Sequence, residues 1–537
     1  MTSSEDTFDY IVVGSGFGGS TSALRLSEKG YKVAVLEKGR EFKDSEFPKT
    51  NWNIKKFLWA PMIKCFGFQK ITWFKEVLIL SGTGVGGGSL VFANTLMTPP
   101  DAFFNNPVWS HFKDWKETLM PFYNKARYML GSTENPWTHT ADNVLRSVAK
   151  DMGQENTVEN VQVGVYFGDQ KKEVDPYFNG HGPMRKGCTS CAGCMVGCRF
   201  NAKNTLVKNY LYFARKFGTK VFPKTYVEKV EFINDEYIVH TRETGAWLFR
   251  NKKIYKSKGI VFSGGVLGSV ELLLKQKYVT KTLPHLSEKL GGNIRTNSEM
   301  LCGVTGPKKL NEGVAISSVM NPDEHTHVEI VKYPDKSDFM KLLTLPYADY
   351  ARAPFRLFKS LGAMIAHPRK FIKLYFKTPW ASNSIIFLVM QTIDSSMSMK
   401  LRKFPLTMST LKQNEDDKVP AFIDKGAEVM KKFTEKIEGV AQSSSVEIIF
   451  DKPTTAHILG GAPMGKSPEE GVVDKFFKVH NYPDMYVLDG SIVPCNIGVN
   501  PSLTITALTE YAMSHVPKKE GASYHSLDEM VKNPASD

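Results

Sequence analysis

The residues of this 537-residue chain whose spacing is most directly chemical are glycines. Gly14, Gly16 and Gly19 stand in G-x-G-x-x-G register, directly after the apolar run Tyr10–Val13 and before an alanine- and leucine-rich stretch. In such a strand–turn–helix unit the first glycine permits the tight turn. The Ser15-Gly16 step brings bare backbone up to a pyrophosphate, and the third glycine lets the helix pack close, so that its N-terminal N–H groups face the phosphates. A second apolar run, Lys32–Leu36, ends in Glu37, 18 positions beyond Gly19. An acid there suits a ribose 2′-hydroxyl and disfavours a 2′-phosphate. The unit reads as a dinucleotide site.

The second set is Cys188-x2-Cys191-x2-Cys194-x3-Cys198, which gathers four of the seven cysteines into eleven residues. The spacing is that of bacterial ferredoxins, where it holds iron–sulfur. Ferredoxins place proline after the fourth cysteine, whereas Arg199 stands here. Their fourth cysteine also serves another cluster, so a single cluster would need a remote thiolate such as Cys302 or Cys495. Four-thiolate zinc is a second reading, although the ligands would be tightly packed. Thiols or disulfides without metal are a third.

Elements must position these groups. Besides β-strands at Tyr10–Val13 and Lys32–Leu36, the patterning predicts strands at Val221–Phe222, Val227–Phe232, Tyr237–Thr241, Trp247–Arg250 and Gly259–Phe262. The last leads into Ser263-Gly-Gly-Val, a further strand–glycine turn–helix, as though the chain returned to its first sheet. Helices are predicted around Trp115–Leu130 and over Asn204–Lys216, and a doubly buried strand at Ile385–Gln391. Five glycines between 82 and 88 form a bare-backbone loop, with Ser89 placed to cap a following helix.

Composition excludes several classes. With 42% hydrophobic and 23% charged residues the chain is an ordinary globular one with ample core. The N-terminus carries no charged-then-apolar export pattern and no run reaches the ~18 apolar residues of a spanning helix, so the expected location is cytoplasmic. The net charge of +14 suits an acidic partner or an anionic membrane face. There is no basic low-complexity tail or nucleic-acid module, which argues against nucleic acid. Two segments, 51–75 and 354–380, interleave lysines with aromatics. That suits contact with a membrane surface, the roof of an apolar pocket for a greasy substrate, or, for the first, an excursion packed on the body of the protein.

Two C-terminal motifs complete the pattern, Ala456-His-Ile-Leu-Gly-Gly-Ala-Pro-Met-Gly465 and Asp489-Gly-Ser…Gly-Val-Asn-Pro-Ser-Leu-Thr-Ile-Thr-Ala507. Together with the N-terminal fingerprint, the Gly84-Val-Gly-Gly-Gly-Ser-Leu-Val loop, Leu290–Glu299 and the cysteine cluster, they resemble the glucose–methanol–choline (GMC) flavin oxidoreductases, especially the cholesterol-oxidase branch. The resemblance runs from residue 8 to about 512. It implies FAD, with Gly14, Ser15, Gly16, Gly19 and Glu37 at the ADP half and Gly86, Gly88, Ser89 and Asn94 along the flavin. Val227 would meet the adenine, Asp489 and Gly490 the pyrophosphate and ribityl chain, and Pro501 would belong to the same wall. His457 matches the family's catalytic histidine and Asn500 its second polar residue over the flavin.

Those types suit oxidation of a sterol or other bulky apolar alcohol. Hydride leaves carbon for the flavin, and the hydroxyl proton needs a base titrating near ambient pH, as histidine does. Electrons would pass to oxygen or to a redox partner. An iron–sulfur cluster would instead suggest an electron-transfer protein, or a quinone- or ferredoxin-linked alcohol dehydrogenase. The loop Thr378–Ser384 lacks the carboxylate that secreted cholesterol oxidases carry there, which leaves double-bond isomerisation unsupported.

The expected fold class is α/β with an α+β second domain. A discontinuous Rossmann-like FAD-binding domain would comprise 5–105, 205–310 and 450–515. A substrate domain on a mostly antiparallel sheet would comprise 106–204 and 311–449 with the cysteines, and 516–537 would be a disordered polar tail.

Overall fold

The computed structural model describes residues 6–246, 251–351, 354–366, 368–402, 407–412 and 419–535. The strand expected at Trp247–Arg250 lies outside them. The chain opens with β1 (Thr7–Val13), α1 (Phe17–Glu28) and β2 (Val33–Leu36), then returns to the same sheet with β3 (Lys220–Phe222), β4 (Thr225–Ile233), β5 (Glu236–Glu243) and β6 (Lys253–Phe262). The strand order is β3-β2-β1-β6-β5-β4. β3, β2, β1 and β6 run parallel, and β5 and β4 form an antiparallel flap. Parallel strands are covered on both faces, so they read as continuous apolar runs. Ile11, Val12, Val35 and Val261 are fully buried. α1 presses on β1 through Gly19, where a Cβ would lie 2.1 Å from the Gly14 carbonyl oxygen. α2 (Val266–Tyr278) follows β6.

The second sheet is built from β7 (Met300–Thr305), β8 (Ile316–Met320), β9 (Thr326–Val331), β10 (Thr344–Pro346), β11 (Ser384–Gln391) and β12 (Val440–Ser444). Its order is β10-β12-β7-β11-β9-β8, extended by Glu159–Asn160, and every pairing is antiparallel. Between β10 and β11 lies α3 (Phe355–Ala366), and after β11 comes α4 (Asp424–Lys436). Alternation along β11 sends Phe387 and Val389 into a core with Val429 and Phe433 of α4. Ile386 and Leu388 face the other way, toward a cavity.

The chain then rejoins the first sheet. β13 (Met485–Val487) pairs in parallel with the end of β6, and α5 (Ser502–Ser514) lies on α1. A buried network ties these helices: Arg25 donates to both carboxylate oxygens of Glu510 at 2.7 Å, and Tyr210 Oη to Glu510 Oε1 at 2.7 Å. Because β1, β2, β6 and β13 are parallel, their carboxyl ends share one edge. That edge carries the turns after Val13, Leu36, Phe262 and Val487.

Several boundaries differ from the expectation. β7, placed by sequence in the nucleotide domain, is the third strand of the second sheet. The helix Trp115–Leu130 matches its predicted span but packs on α5, with Tyr123 Oη donating to Thr504 Oγ1 at 2.9 Å. Only Tyr210–Lys216 of the predicted 204–216 helix is α-helical. Ser89 caps no helix; it sits inside a single 3-10 turn, Gly87–Leu90. The C-terminal segment is folded as far as Ala535. Leu527 is fully buried and its N–H donates to Glu28 Oε1 at 2.9 Å, because α1 offers this segment both an apolar seat and an acceptor. Among the described residues no helix is long and apolar enough to cross a membrane.

Candidate active site

A cavity of about 1150 Å³ runs from the carboxyl edge of the first sheet to the free face of the second. Gly14, Ser15, Gly16 and Glu37 wall one end, with Val227 on β4 beside them. Gly88, Asp489 and Gly490 continue the wall toward His457, Asn500 and Pro501. Gly19, Gly86, Ser89 and Asn94 stand behind the lining and brace it. Ser89 Oγ donates to Gly86 O at 2.7 Å and accepts from Leu206 N at 3.1 Å. Asn94 is fully buried and neither atom of its amide has a hydrogen-bond partner among the described residues.

The lining suits FAD. α1 starts at Gly16 and α2 at Gly265, and neither has a side-chain cap, so two helices turn unpaired N–H groups toward the same cavity. That is the donor set a pyrophosphate takes. Glu37 Oε2 accepts from Ser15 N at 3.1 Å and Ser15 Oγ at 2.7 Å, and Oε1 from Gly39 N at 2.8 Å. Ser15 Oγ in turn accepts from Gly86 N at 3.1 Å. The two glycine loops touch, since a Cβ on Gly87 would lie 2.6 Å from Gly16 Cα. Only glycine permits such an approach at the left-handed φ of +52° found at Gly87.

Toward the second sheet, His457 lines the cavity with its Nδ1 paired to Glu299 Oε1. Glu299 is fully buried just before β7, and its Oε2 accepts from Ala456 N at 2.7 Å. The turn before it contains Asn297 and Ser298, both left-handed at φ 59° and 46°. Asn297 also fixes the loop leading to Asn500: Nδ2 donates to Val499 O at 2.9 Å, and Oδ1 accepts from Ile497 N and Gly498 N at 2.9 Å each. Asn500 Nδ2 donates to Glu329 Oε2 at 3.2 Å, which leaves its Oδ1 buried at the wall without a hydrogen-bond partner among the described residues. Glu329 is fully buried on β9, on the cavity side with Val331, and His327 Nε2 lies 3.4 Å from its Oε1. His327 Nδ1 donates to Asn321 Oδ1 at 2.8 Å.

Burial pulls the His457 imidazole down, but the Glu299 carboxylate, by charge and hydrogen bond, and Glu329 at longer range more than offset it. The net effect raises its pKa. With Nδ1–H held by Glu299, Nε2 is the nitrogen free to take a proton. Glu299 and Glu329 were not identified as site residues from sequence. The signal for Glu329 is the strand Thr326–Val331, where Val328 and Ile330 make an apolar face and His327 and Glu329 a polar one inside a buried sheet. Glu299 closes the Leu290–Glu299 motif, but nothing local ties it to His457, 158 residues away.

The four clustered cysteines surround one small cleft beside Lys203. Lys203 Nζ, fully buried, donates to Leu90 O, Phe92 O and Cys194 O at 3.0, 2.9 and 2.8 Å, and so staples the cysteine loop to the cavity wall. Burial pushes its ammonium down to about 7. Cys191 is exposed, while burial pushes the Cys194 thiol up to about 11. All seven cysteines are free. Cys302 and Cys495 stand apart, in β7 and beside Phe103 O. Among the described residues no three His, Cys, Asp or Glu side chains are arranged to hold a metal. As placed, the four thiols do not gather into an iron–sulfur or zinc site.

A dinucleotide edge joined to an acid-held histidine is the arrangement of a flavin-dependent oxidoreductase, and comparison with known proteins agrees. A family model described as FAD binding domain matches residues 9–46, and one described as GMC oxidoreductase matches 404–509. A cholesterol oxidase of Acinetobacter baumannii is 40% identical, covering 99% of this chain and 97% of its own. Another, from Mycobacterium tuberculosis, is 43% identical over 95% of this chain and 91% of its own. The solved structure of pyridoxine 4-oxidase from Mesorbium loti, 15% identical, superposes with TM-score 0.59 over 94% of this chain and 99% of that one, and so shares the fold. The chain belongs to the GMC oxidoreductase family and is an FAD-dependent enzyme.

Proposed function

We propose that the enzyme oxidises the hydroxyl of a sterol, with cholesterol as the model substrate and oxygen as electron acceptor. The observation that carries the reading is the placement of His457, held at Nδ1 by Glu299, on a cavity whose far wall is the apolar set Leu301, Ile316, Val331, Ile386 and Leu388. The full-length similarity to two cholesterol oxidases supports the same substrate class.

FAD, when bound, supplies the two-electron acceptor for the hydride on the carbinol carbon. Gly14, Ser15, Gly16 and Glu37 would hold its ADP half, Val227 its adenine, and Gly88, Asp489, Gly490 and Pro501 the remainder. Gly19, Gly86, Ser89 and Asn94 shape that wall from behind. The chain's own chemistry is proton transfer and orientation. His457 Nε2 takes the hydroxyl proton, and Glu299 stabilises the imidazolium that forms. Asn500 keeps a second Nδ2 N–H, beyond the one given to Glu329, to donate to the substrate oxygen and hold it in line. The apolar wall excludes water and seats the ring system. Peripheral contact with a membrane belongs to the same reading, since sterols reside in bilayers.

The test is anaerobic titration of the holoenzyme with cholesterol. Bleaching of the flavin's visible absorbance is expected in the wild type, and bleaching slowed about 10²–10⁴-fold in His457→Gln despite full flavin content. Equally fast bleaching in both proteins would remove His457 from the role of base.

A further inference from the structure

The cysteine loop carries chemistry that alcohol oxidation leaves unused. Its four thiols are free and line one small cleft, but they differ in access. Cys191 is exposed, Cys198 is half-buried, and Cys188 and Cys194 are buried. The segment Cys191-Ala-Gly-Cys194 is sharply bent. Ala192 is left-handed at φ 51°, its N–H donates to Gly313 O at 2.8 Å, and a 3-10 turn starts at Cys194. A Cβ on Gly193 would lie 3.1 Å from Cys191 Sγ, so this sulfur is folded back over the residue that precedes Cys194. Burial dominates the Cys194 thiol, and among its fellow cysteines Cys191 weighs on it more than Cys198 does. An exposed thiol folded toward a buried one at C-x-x-C spacing is a redox arrangement.

The loop is also tied to the active-site cavity from two sides. Lys203 Nζ holds Cys194 O together with Leu90 O and Phe92 O. Met195, next in the chain, lines the cavity, as Phe92 does. On the other side Gly313, which receives the Ala192 N–H, leads into β8, whose Ile316 lines the cavity too. A ring closed between Cys191 and Cys194 would pull on the Cys194 carbonyl, one of the three acceptors of Lys203, and on Met195 beside it.

We propose that Cys191 and Cys194 are a peroxide-sensitive thiol pair whose oxidation to a disulfide shifts the cavity wall and slows turnover. The oxidant is hydrogen peroxide, the product of two-electron reduction of oxygen. Cys191 Sγ attacks one peroxide oxygen; the S–O bond forms, the O–O bond breaks, and water leaves a sulfenic acid. Cys194 Sγ then attacks that sulfur, the S–S bond forms, the S–O bond breaks, and a second water departs. The two thiols lose two electrons and two protons, and the peroxide becomes two waters. Attack needs access to solvent, which Cys191 has and Cys194 lacks. That peroxide arises in turnover rests on the reading of oxygen as acceptor, but in the test it is added from outside.

The holoenzyme, freed of reductant, is titrated with hydrogen peroxide, and its thiols are then alkylated and mapped by mass spectrometry. A Cys191–Cys194 disulfide is expected, in a chain lighter by about 2 Da before alkylation. The visible circular dichroism of the bound flavin should change in parallel, and cholesterol turnover should fall at least about twofold. Dithiothreitol should reverse all of these. Cys191→Ser should turn over as the wild type does before peroxide and show neither disulfide nor spectral change after it. A disulfide between another pair, oxygen retained on Cys191 as sulfinic acid, or the same response in Cys191→Ser overturns the pair. A Cys191–Cys194 disulfide that leaves flavin signal and turnover unchanged overturns the coupling. Absence of cholesterol oxidation before peroxide would overturn the substrate reading alone, since the disulfide and the flavin signal are read without substrate.

Discussion

His457 is useful as a base only while Nε2 is unprotonated, and its raised pKa delays that state. The acidic limb of kcat/KM against pH is therefore expected above the range of an ordinary histidine. Glu299→Gln removes the upward pull and leaves the depressing effect of burial. The limb should move to lower pH while the maximal rate falls; movement to higher pH would contradict the pairing. Replacing His457 by Gln should cost about 10²–10⁴ in the rate of flavin reduction. Glu329 acts through Asn500. Glu329→Gln lets the partner amide donate, which permits Asn500 to flip and turn its Oδ1, rather than an N–H, toward the substrate oxygen. A fall in kcat/KM of about ten- to a hundredfold with unchanged flavin content is expected.

Among elements, α1, α5 and the helix Trp115–Leu130 form the layer on which the nucleotide edge rests. The Arg25–Glu510 pair is its polar centre, and Glu510→Ala would leave the buried guanidinium with Glu28 as its remaining carboxylate and take the acceptor from Tyr210 Oη. A loss of about 3–5 kcal/mol, read as a lowered Tm, is expected. These elements were legible to different degrees. The helix Trp115–Leu130 was read from its apolar spacing, with Asp114 at its N-cap and Gly131 left-handed at its end. Strands of the first sheet were legible because parallel strands are apolar throughout. β7 was misassigned because its run Met-Leu-Cys-Gly-Val-Thr carries no mark of which sheet it joins. The juxtapositions of Glu299 with His457 and of Glu329 with Asn500 join residues of the second sheet and its edge to loops far along the chain, which no local period encodes. The cysteine spacing was clear in sequence, but spacing alone does not set exposure or thiol direction.

For the whole molecule, the C-terminal segment is part of the fold. Its polar composition concealed a few specific anchors, chiefly Leu527 on Glu28 and Lys519, whose Nζ donates to Asp9 Oδ2 at 2.6 Å. Leu527→Ala should cost about 2–5 kcal/mol. Thermal melting of that variant beside one truncated after Val516 would show whether the segment contributes through this residue.

The nucleotide edge takes its turns from residues 14–16 and from residues 489–501, so both ends of the chain must be present before it closes. During synthesis at roughly 5–20 residues per second, the first glycine turn would wait about 25–100 s for Asn500 to be made. Flavin capture is therefore expected only after Asn500 has been made, and a chain halted short of α5 leaves without its colour.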